Sequence, residues 1–232
     1  MEILEKIFGI KIDNRELYER ALTHPSYVVE NELTQLDHYE RLEFLGDAVL
    51  KLAISDIMFK QYPDYTEGQL SKIRSIIVSD NMLAKISEEL GLCALIKLAK
   101  HEEKQGHRDL ESIRACSFEA LLGAFYLDGK MSELLGFLKK VFLPRVENIQ
   151  EEPQRYNAKA VLQEYTQATS KDRPVYNLVG TAGPEHNKRF KIEVVYQNQL
   201  LGTGFARTKK EAEQMAAFEA CRKLGISECK EQ

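Results

Sequence analysis

Apolar residues recur at three- and four-residue spacing through the first two-thirds of the chain. Leu42, Phe44, Leu45, Val49, Leu52 and Ala53 form one run, Ile76, Ile77, Leu83 and Ile86 another, and Phe118, Leu121, Leu122, Phe125 and Tyr126 a third. Such spacing covers one flank of a 3.6-residue helix, so it predicts a series of helices with the apolar flank turned inward. Breaks fall at residues that interrupt helices: His24–Pro25, Tyr62–Pro63–Asp64, Gly91, Gly106 and Asp128–Gly129. No alternating segment interrupts the series, which leaves no βαβ unit. Residues 1–149 are therefore expected to form an all-α domain.

Beyond Phe142 the period changes. Pro144 is expected to stop a helix, and the polar run Glu151-Glu152-Pro153-Gln154-Arg155 marks 150–156 as a linker. Lys159–Thr169 reads as a helix. Val175–Gly180, Phe190–Tyr196 and Leu200–Thr208 alternate with period two, the last pair joined by a turn at Gln197-Asn198-Gln199. Lys210–Leu224 is an alanine-rich helix ended by Gly225. The expected fold is multidomain: an all-α domain, then a small α+β domain in the order α-β-β-β-α over 157–226, with 227–232 as a tail.

Charge sharpens this division. The net of −4 over 232 residues conceals an acidic front and a basic back. Residues 157–226 hold 11 Lys/Arg against 7 Asp/Glu, whereas the first 156 hold 20 against 27. Two modules with different partners are implied, one suited to cations and the other to phosphate. With 44% hydrophobic and 29% charged residues, the composition excludes collagen-like, coiled-coil and wholly disordered chains. No stretch approaches the roughly eighteen apolar residues of a membrane span, and the charged N-terminus lacks a secretory-signal plan. Cys93, Cys116, Cys221 and Cys229 show no Cys-x-x-Cys spacing and are too sparse for a disulfide scaffold. A cytoplasmic setting is the expectation.

The chemistry concentrates in Tyr39-Glu40-Arg41-Leu42-Glu43-Phe44-Leu45-Gly46-Asp47-Ala48-Val49-Leu50. At about 100° per residue, Glu40, Glu43 and Asp47 share one helix face while Leu42, Leu45 and Val49 take another. Three carboxylates in a stripe form either a solvated acidic face or a place for cations. Gly46 tips the balance, because glycine inside a helix is unfavourable by about 1 kcal/mol against alanine and marks close approach. A second segment, Ala115–Asp128, sets Glu119 in an apolar context beside Gly123. A carboxylate there is costly to bury alone. If the two helices pack together, Glu43, Asp47 and Glu119 converge, and oxygen-only ligands suit magnesium or manganese.

"YERLEFLGDAVL" resembles the signature of the ribonuclease III family, and "FEALLGAFYLD" is similar to its second catalytic helix. Ala21–Tyr27 and Glu67–Ser71 match further family segments in the same order. The resemblance implies Asp47 and Glu119 as catalytic residues, Glu43, Asp47 and Glu119 as metal ligands, and Glu40 and Glu67 as acids lining a cleavage valley. It implies Mg2+, with Mn2+ as a substitute. One position departs: Cys116 stands where the family has an aspartate, three residues before Glu119 and on the same face. A thiol is a poor partner for magnesium. Either cleavage survives, with the remaining acids and water holding the ion more weakly or with manganese preferred, or the chain has become a binder of double-stranded RNA without catalysis. The intact Glu43, Asp47 and Glu119 favour the first reading. Arg114, also unusual for the family, lies about 200° around the helix from Cys116 and is expected to point elsewhere.

The basic module resembles a double-stranded RNA-binding domain, through "LQEYTQ", "GPEHNKRF" and "TKKEAEQMAA". Such domains read A-form shape through minor-groove hydroxyls and phosphates. Gln163 and Glu164 suit hydroxyl contacts, Pro184 and His186 a loop entering a second groove, and Lys209 and Lys210 phosphate at a helix start. No element resembles a major-groove recognition helix, so DNA is not expected. Taken together, the resemblance implies an endoribonuclease acting as a homodimer on double-stranded RNA. Products with 5′-phosphate and 3′-hydroxyl ends, from ribosomal RNA precursors and structured messenger RNAs, are what it further implies.

Overall fold

A computed structural model describes residues 1–34, 36–151, 153–170, 172–183 and 188–226, with backbone alone at 150, 151 and 153–156. Its contacts divide the chain into two compact units, Met1–Val146 and Glu147–Gln232.

The first unit is helical: α1 (Glu2–Phe8), α2 (Arg15–Ala21), α3 (Pro25–Glu30), α4 (Glu40–Gln61), α5 (Glu67–Ile77), α6 (Asp80–Glu89), α7 (Lys100–Lys104), α8 (Glu111–Leu127) and α9 (Met131–Glu151), the last running past the division. The expected breaks are where helices start and stop. Pro25 opens α3 with His24 as its N-cap, and Gly91, Gly106 and Gly129 turn through left-handed φ of 70°, 75° and 73°. The apolar run Ile76–Ile86 is divided between two helices, because Ser79 takes extended φ/ψ (−74°, 149°) and starts α6. Its hydroxyl caps the preceding turn by donating to the Ile76 carbonyl at 2.7 Å.

The centre of the unit is α8, whose Phe118, Ala120, Leu121, Leu122, Ala124 and Phe125 are fully buried. Tyr18 and Phe8 pack on Phe125 with ring centroids 4.9 and 4.7 Å away. Against α8 lies α4, and the two backbones touch. A Cβ on Gly46 would stand 1.7 Å from the Glu119 carbonyl oxygen, and one on Gly123 would stand 2.3 Å from that of Leu42. Each glycine is therefore required by the helix opposite. The α4 run is not all core, however: Leu42, Val49 and Ala53 are buried, while Phe44 and Leu52 are 82% and 65% exposed. Their position on the helix turns them away from α8.

Pro144 does not end a helix, contrary to the sequence expectation; it lies inside α9. One backbone hydrogen bond is lost there, but Phe142 and Val146 on either side are 1% exposed, and their burial holds the turn together. Helical backbone also enters the polar segment 150–156 from both sides. Among the described residues no helix is long and apolar enough to cross a membrane.

The second unit runs α10 (Pro153–Ser170, bent at Asn157), β1 (Val175–Ala182), β2 (Arg189–Tyr196), β3 (Gln199–Ala206) and α11 (Lys209–Lys223). Its sheet is antiparallel in the order β1-β2-β3. Gln197 and Asn198 both have positive φ (49° and 61°), the geometry whose twist matches a tight hairpin. Ile192, Val194, Tyr196 and Leu201 meet Leu162 and an alanine face, Ala212, Ala216, Ala217 and Ala220, in one core. Gly202 and Gly204 admit α11 onto β3, since Cβ atoms there would lie 2.3 Å from the Ala216 carbonyl oxygen and 1.8 Å from that of Ala212. The tail 227–232 lies outside the described residues.

The glycine contacts make a paired prediction. Gly46→Ala should destabilise the protein by about 3 kcal/mol or more in chemical denaturation, because backbone cannot give way as a side chain does. Gly136→Ala, inside α9 with nothing within 4 Å of its Cβ, should instead stabilise by up to about 1 kcal/mol.

Candidate active site

Where α4 crosses α8, Glu40, Glu43, Phe44 and Asp47 of α4, Asp80 of α6 and Glu119 of α8 line one cavity of about 530 Å³. The Gly46 contact explains the convergence. It presses α4 onto the backbone of Glu119 itself, one residue from Asp47 and three from Glu43.

The acids are not equivalent. Glu119 is only 8% exposed, and among the described residues it makes no hydrogen bond or ion pair. Burial raises its carboxyl to about 8, and the facing charges of Asp47, Glu43 and Asp80 add to that rise while Lys51 opposes it. Asp47 is held one turn along α4 by Lys51, 2.7 Å away. Glu40 stands 3.7 Å from His38. Glu43 receives the Cys116 thiol, whose pKa is driven upward first by burial, then by that hydrogen bond and the neighbouring carboxylates. At neutral pH Cys116 is thus a protonated thiol turned onto Glu43, and it is not among the residues lining the cavity.

Of the acids named from the sequence, Glu40, Glu43, Asp47 and Glu119 come together. Glu67 does not line the cavity; it opens α5, and its carboxylate accepts from the Ser71 hydroxyl at 2.6 Å. Arg114 points away, nearly buried, between Glu88 at 2.9 Å and Asp109. Asp80 was not legible in the sequence. Following Ser79, it reads as an ordinary first-turn acid, and nothing along the chain connects it with Glu119.

The donor set fits a hard divalent cation in its chemistry: carboxylate oxygens, one pair of them on a residue that is only 8% exposed and unpaired among the described residues. The cage is not preassembled, for among the described residues no group of three His, Cys, Asp or Glu side chains is drawn together as ligands. Mutual repulsion between uncompensated carboxylates is a sufficient reason for that spread.

In the second unit, Gln163 and Glu164 are exposed on α10. Lys209 and Lys210 are exposed as the first two residues of α11, which Thr208 caps by accepting from the Glu211 amide at 3.1 Å. The Lys209 ammonium sits 5.8 Å from the Phe190 ring centroid. Pro184 and His186 lie outside the described residues.

Fold and site together define a helical, acid-lined domain followed by an α-β-β-β-α module. Residues 14–146 match the model of the ribonuclease-III-like family, and 158–224 match the double-stranded RNA binding motif. The chain is 43% identical over 222 residues to ribonuclease 3 of Streptococcus equi subsp. zooepidemicus, covering 96% of each. It is 41% identical over 226 residues to that of Listeria monocytogenes, covering 96% of this chain and 97% of that one. Among solved structures, the nuclease domain of ribonuclease III from Campylobacter jejuni aligns with a TM-score of 0.54 at 33% identity, over 63% of this chain and 96% of that one. The chain belongs to the ribonuclease III family.

The raised Glu119 carboxyl carries a pH signature. Its folded value near 8 exceeds the ordinary 4.5, so the folded state binds this proton more tightly than the unfolded state. The associated stability is present in full below about pH 4.5 and is lost as pH rises through 8. In chelator, stability should fall by on the order of 2–4 kcal/mol between pH 5 and 8.5 from this group. Glu119→Gln should flatten that decline in denaturation curves, and Mg2+ should reverse more of it at pH 8.5 than at pH 6.

Proposed function

We propose that the chain cleaves double-stranded RNA by divalent-cation-assisted phosphodiester hydrolysis at the cavity between α4 and α8. The chain is an endoribonuclease by family, and the buried, unpartnered Glu119 among further carboxylates is the observation that carries the reading. Glu43, Asp47 and Glu119 would hold the ion, Mg2+ or in its place Mn2+. Bound there, such an ion supplies charge neutralisation on the phosphodiester and a water of lowered pKa. Glu119 would hold the ion as a carboxylate, and since burial keeps its proton bound up to about 8, cation affinity should rise with pH toward that value. Lys51 holds Asp47 on the α4 surface at the cavity. Glu40 adds negative potential at the entrance, and Glu67 is assigned to the same acidic valley in a dimer.

The division of labour proposed gives cleavage to 1–149 and RNA binding to 157–226, with 150–156 joining them. In the second module Gln163 and Glu164 serve the minor groove, Pro184 and His186 the next groove, and Lys209 and Lys210 the phosphates between. A homodimer is part of the reading, because a duplex has two strands to cut and a two-fold axis presents two sites. The exposure of Phe44, Leu52 and Phe59 (82%, 65% and 73%) along one helix supports it, since a partner surface would remove these side chains from water. Products with 5′-phosphate and 3′-hydroxyl ends, ribosomal and messenger RNA precursors as substrates, and a cytoplasmic setting complete the proposal.

Cys116 favours a second reading, in which the helical domain is silent and the chain only binds RNA. Cleavage of a long duplex RNA in Mg2+, beside a binding assay, separates the two. On the enzyme reading the wild-type protein cuts, and Glu119→Gln and Glu43→Gln lose at least about a hundredfold in cleavage while duplex affinity stays within about twofold. Binding without cutting in either Mg2+ or Mn2+ establishes the silent reading. Replacing Lys209 and Lys210 with alanine should weaken binding across all sequences and reduce the salt slope by about 2.

A further inference from the structure

The cavity carries one acid to which the sequence motifs did not point. Asp80 lines it from α6, together with Glu43 and Asp47 of α4 and Glu119 of α8. The position that should contribute a carboxylate, 116, contributes none: its thiol is engaged with Glu43 and is absent from the cavity lining.

Resting on the reading of this cavity as a cation site, we propose that Asp80 is a cation-holding carboxylate that replaces the one missing at position 116. Three observations converge on it. Glu119 is nine-tenths buried, faces the cavity and has no partner among the described residues, so a cation at this point is what its carboxylate lacks. Asp80 acts electrostatically on both Glu119 and Cys116, which places it near both positions. Its placement is also built in. α5 ends at Ile77 with Val78 as its C-cap, the extended Ser79 then starts α6, and the next residue but one, Asn81, donates through Nδ2 to Glu111 of α8 at 3.2 Å. The start of α6 is thus anchored to the helix that carries Glu119. Asp80 makes no hydrogen bond or ion pair among the described residues, so its oxygens are available. Oxygen in place of sulfur also suits the ion, since magnesium and manganese favour carboxylate over thiol.

The test is Mn2+ binding to the full chain by isothermal titration and by its electron-paramagnetic signal, with duplex cleavage as a second readout. The variants are Asp80→Asn, Asp80→Glu, Cys116→Asp and the Asp80→Asn, Cys116→Asp double. Asp80→Asn should weaken Mn2+ binding at least about tenfold, and Asp80→Glu should retain most of it. Cys116→Asp should restore binding in the Asp80→Asn background, so that Asp80→Asn costs less than about threefold once an aspartate stands at 116. That rescue distinguishes exchange of a ligand from a diffuse charge effect, which would reduce affinity equally in both backgrounds. Equal losses in the two backgrounds, or wild-type binding by Asp80→Asn, overturn the inference. If Glu119→Gln abolishes binding while Asp80→Asn does not, only the role of Asp80 falls. If the wild-type chain binds no Mn2+ at all, the cation reading falls with it.

Discussion

The contact of α4 and α8 through Gly46 and Gly123 is the constraint on which the helical unit depends. Two helices with ordinary side chains at their crossing stand 8–10 Å apart. Here each glycine is met by a carbonyl of the opposite helix, closer than any Cβ allows. The intimacy has a chemical consequence, since it brings the backbone carrying Glu119 against the helix carrying Glu43 and Asp47. Carboxylates that would spread apart on a looser pair are held around one space. The packing is thus a device for holding like charges together, and the apolar core of α8 supplies the stability against which that repulsion is set.

Glu119 shows how unequal the charges are. Asp47 has Lys51, Glu40 has His38 and Glu43 has the Cys116 thiol, whereas Glu119, 8% exposed, has no hydrogen-bond or ion-pair partner among the described residues. A group left in that condition rests in the neutral form, and its rise to about 8 is the measure of the cost of ionising it. A surface carboxylate would be no worse for the fold, so its burial is unexplained by packing. The mutual repulsion that raises its proton affinity is what a divalent cation would remove.

The RNA-binding unit solves a smaller problem by the same means. Its core is thin, built from four alanines of α11 and a few β-branched and aromatic residues, and Gly202 and Gly204 let the helix lie directly on β3. Close packing of small residues fixes the angle at which α11 leaves the sheet, with Lys209 and Lys210 at its exposed start. Lys209 spans toward Phe190 of β2.

Much of this was legible along the chain. Period sets the element types, because an apolar flank on a helix and an alternating face on a strand are local properties; the helices around Leu42–Ala53 and Phe118–Tyr126 and the three strands follow from it. The charge stripe of Glu40, Glu43 and Asp47 is equally local, being a matter of turns on one helix. Pro144 misled, because a proline lost to hydrogen bonding can be outweighed by the burial of Phe142 and Val146, which no local rule contains. Phe44 and Leu52 misled in the opposite sense, their apolarity being turned outward. Asp80 was invisible for a plainer reason: which residues face one cavity depends on the crossing of three helices, and the chain between Asp47 and Asp80 and between Asp80 and Glu119 says nothing of distance. The sequence by itself determined which residues could form helices, strands and an acidic face. Only tertiary packing decided which carboxylate was buried, which thiol met Glu43 and which distant aspartate joined the cavity, because burial and electrostatic neighbourhood are properties of assembled surfaces.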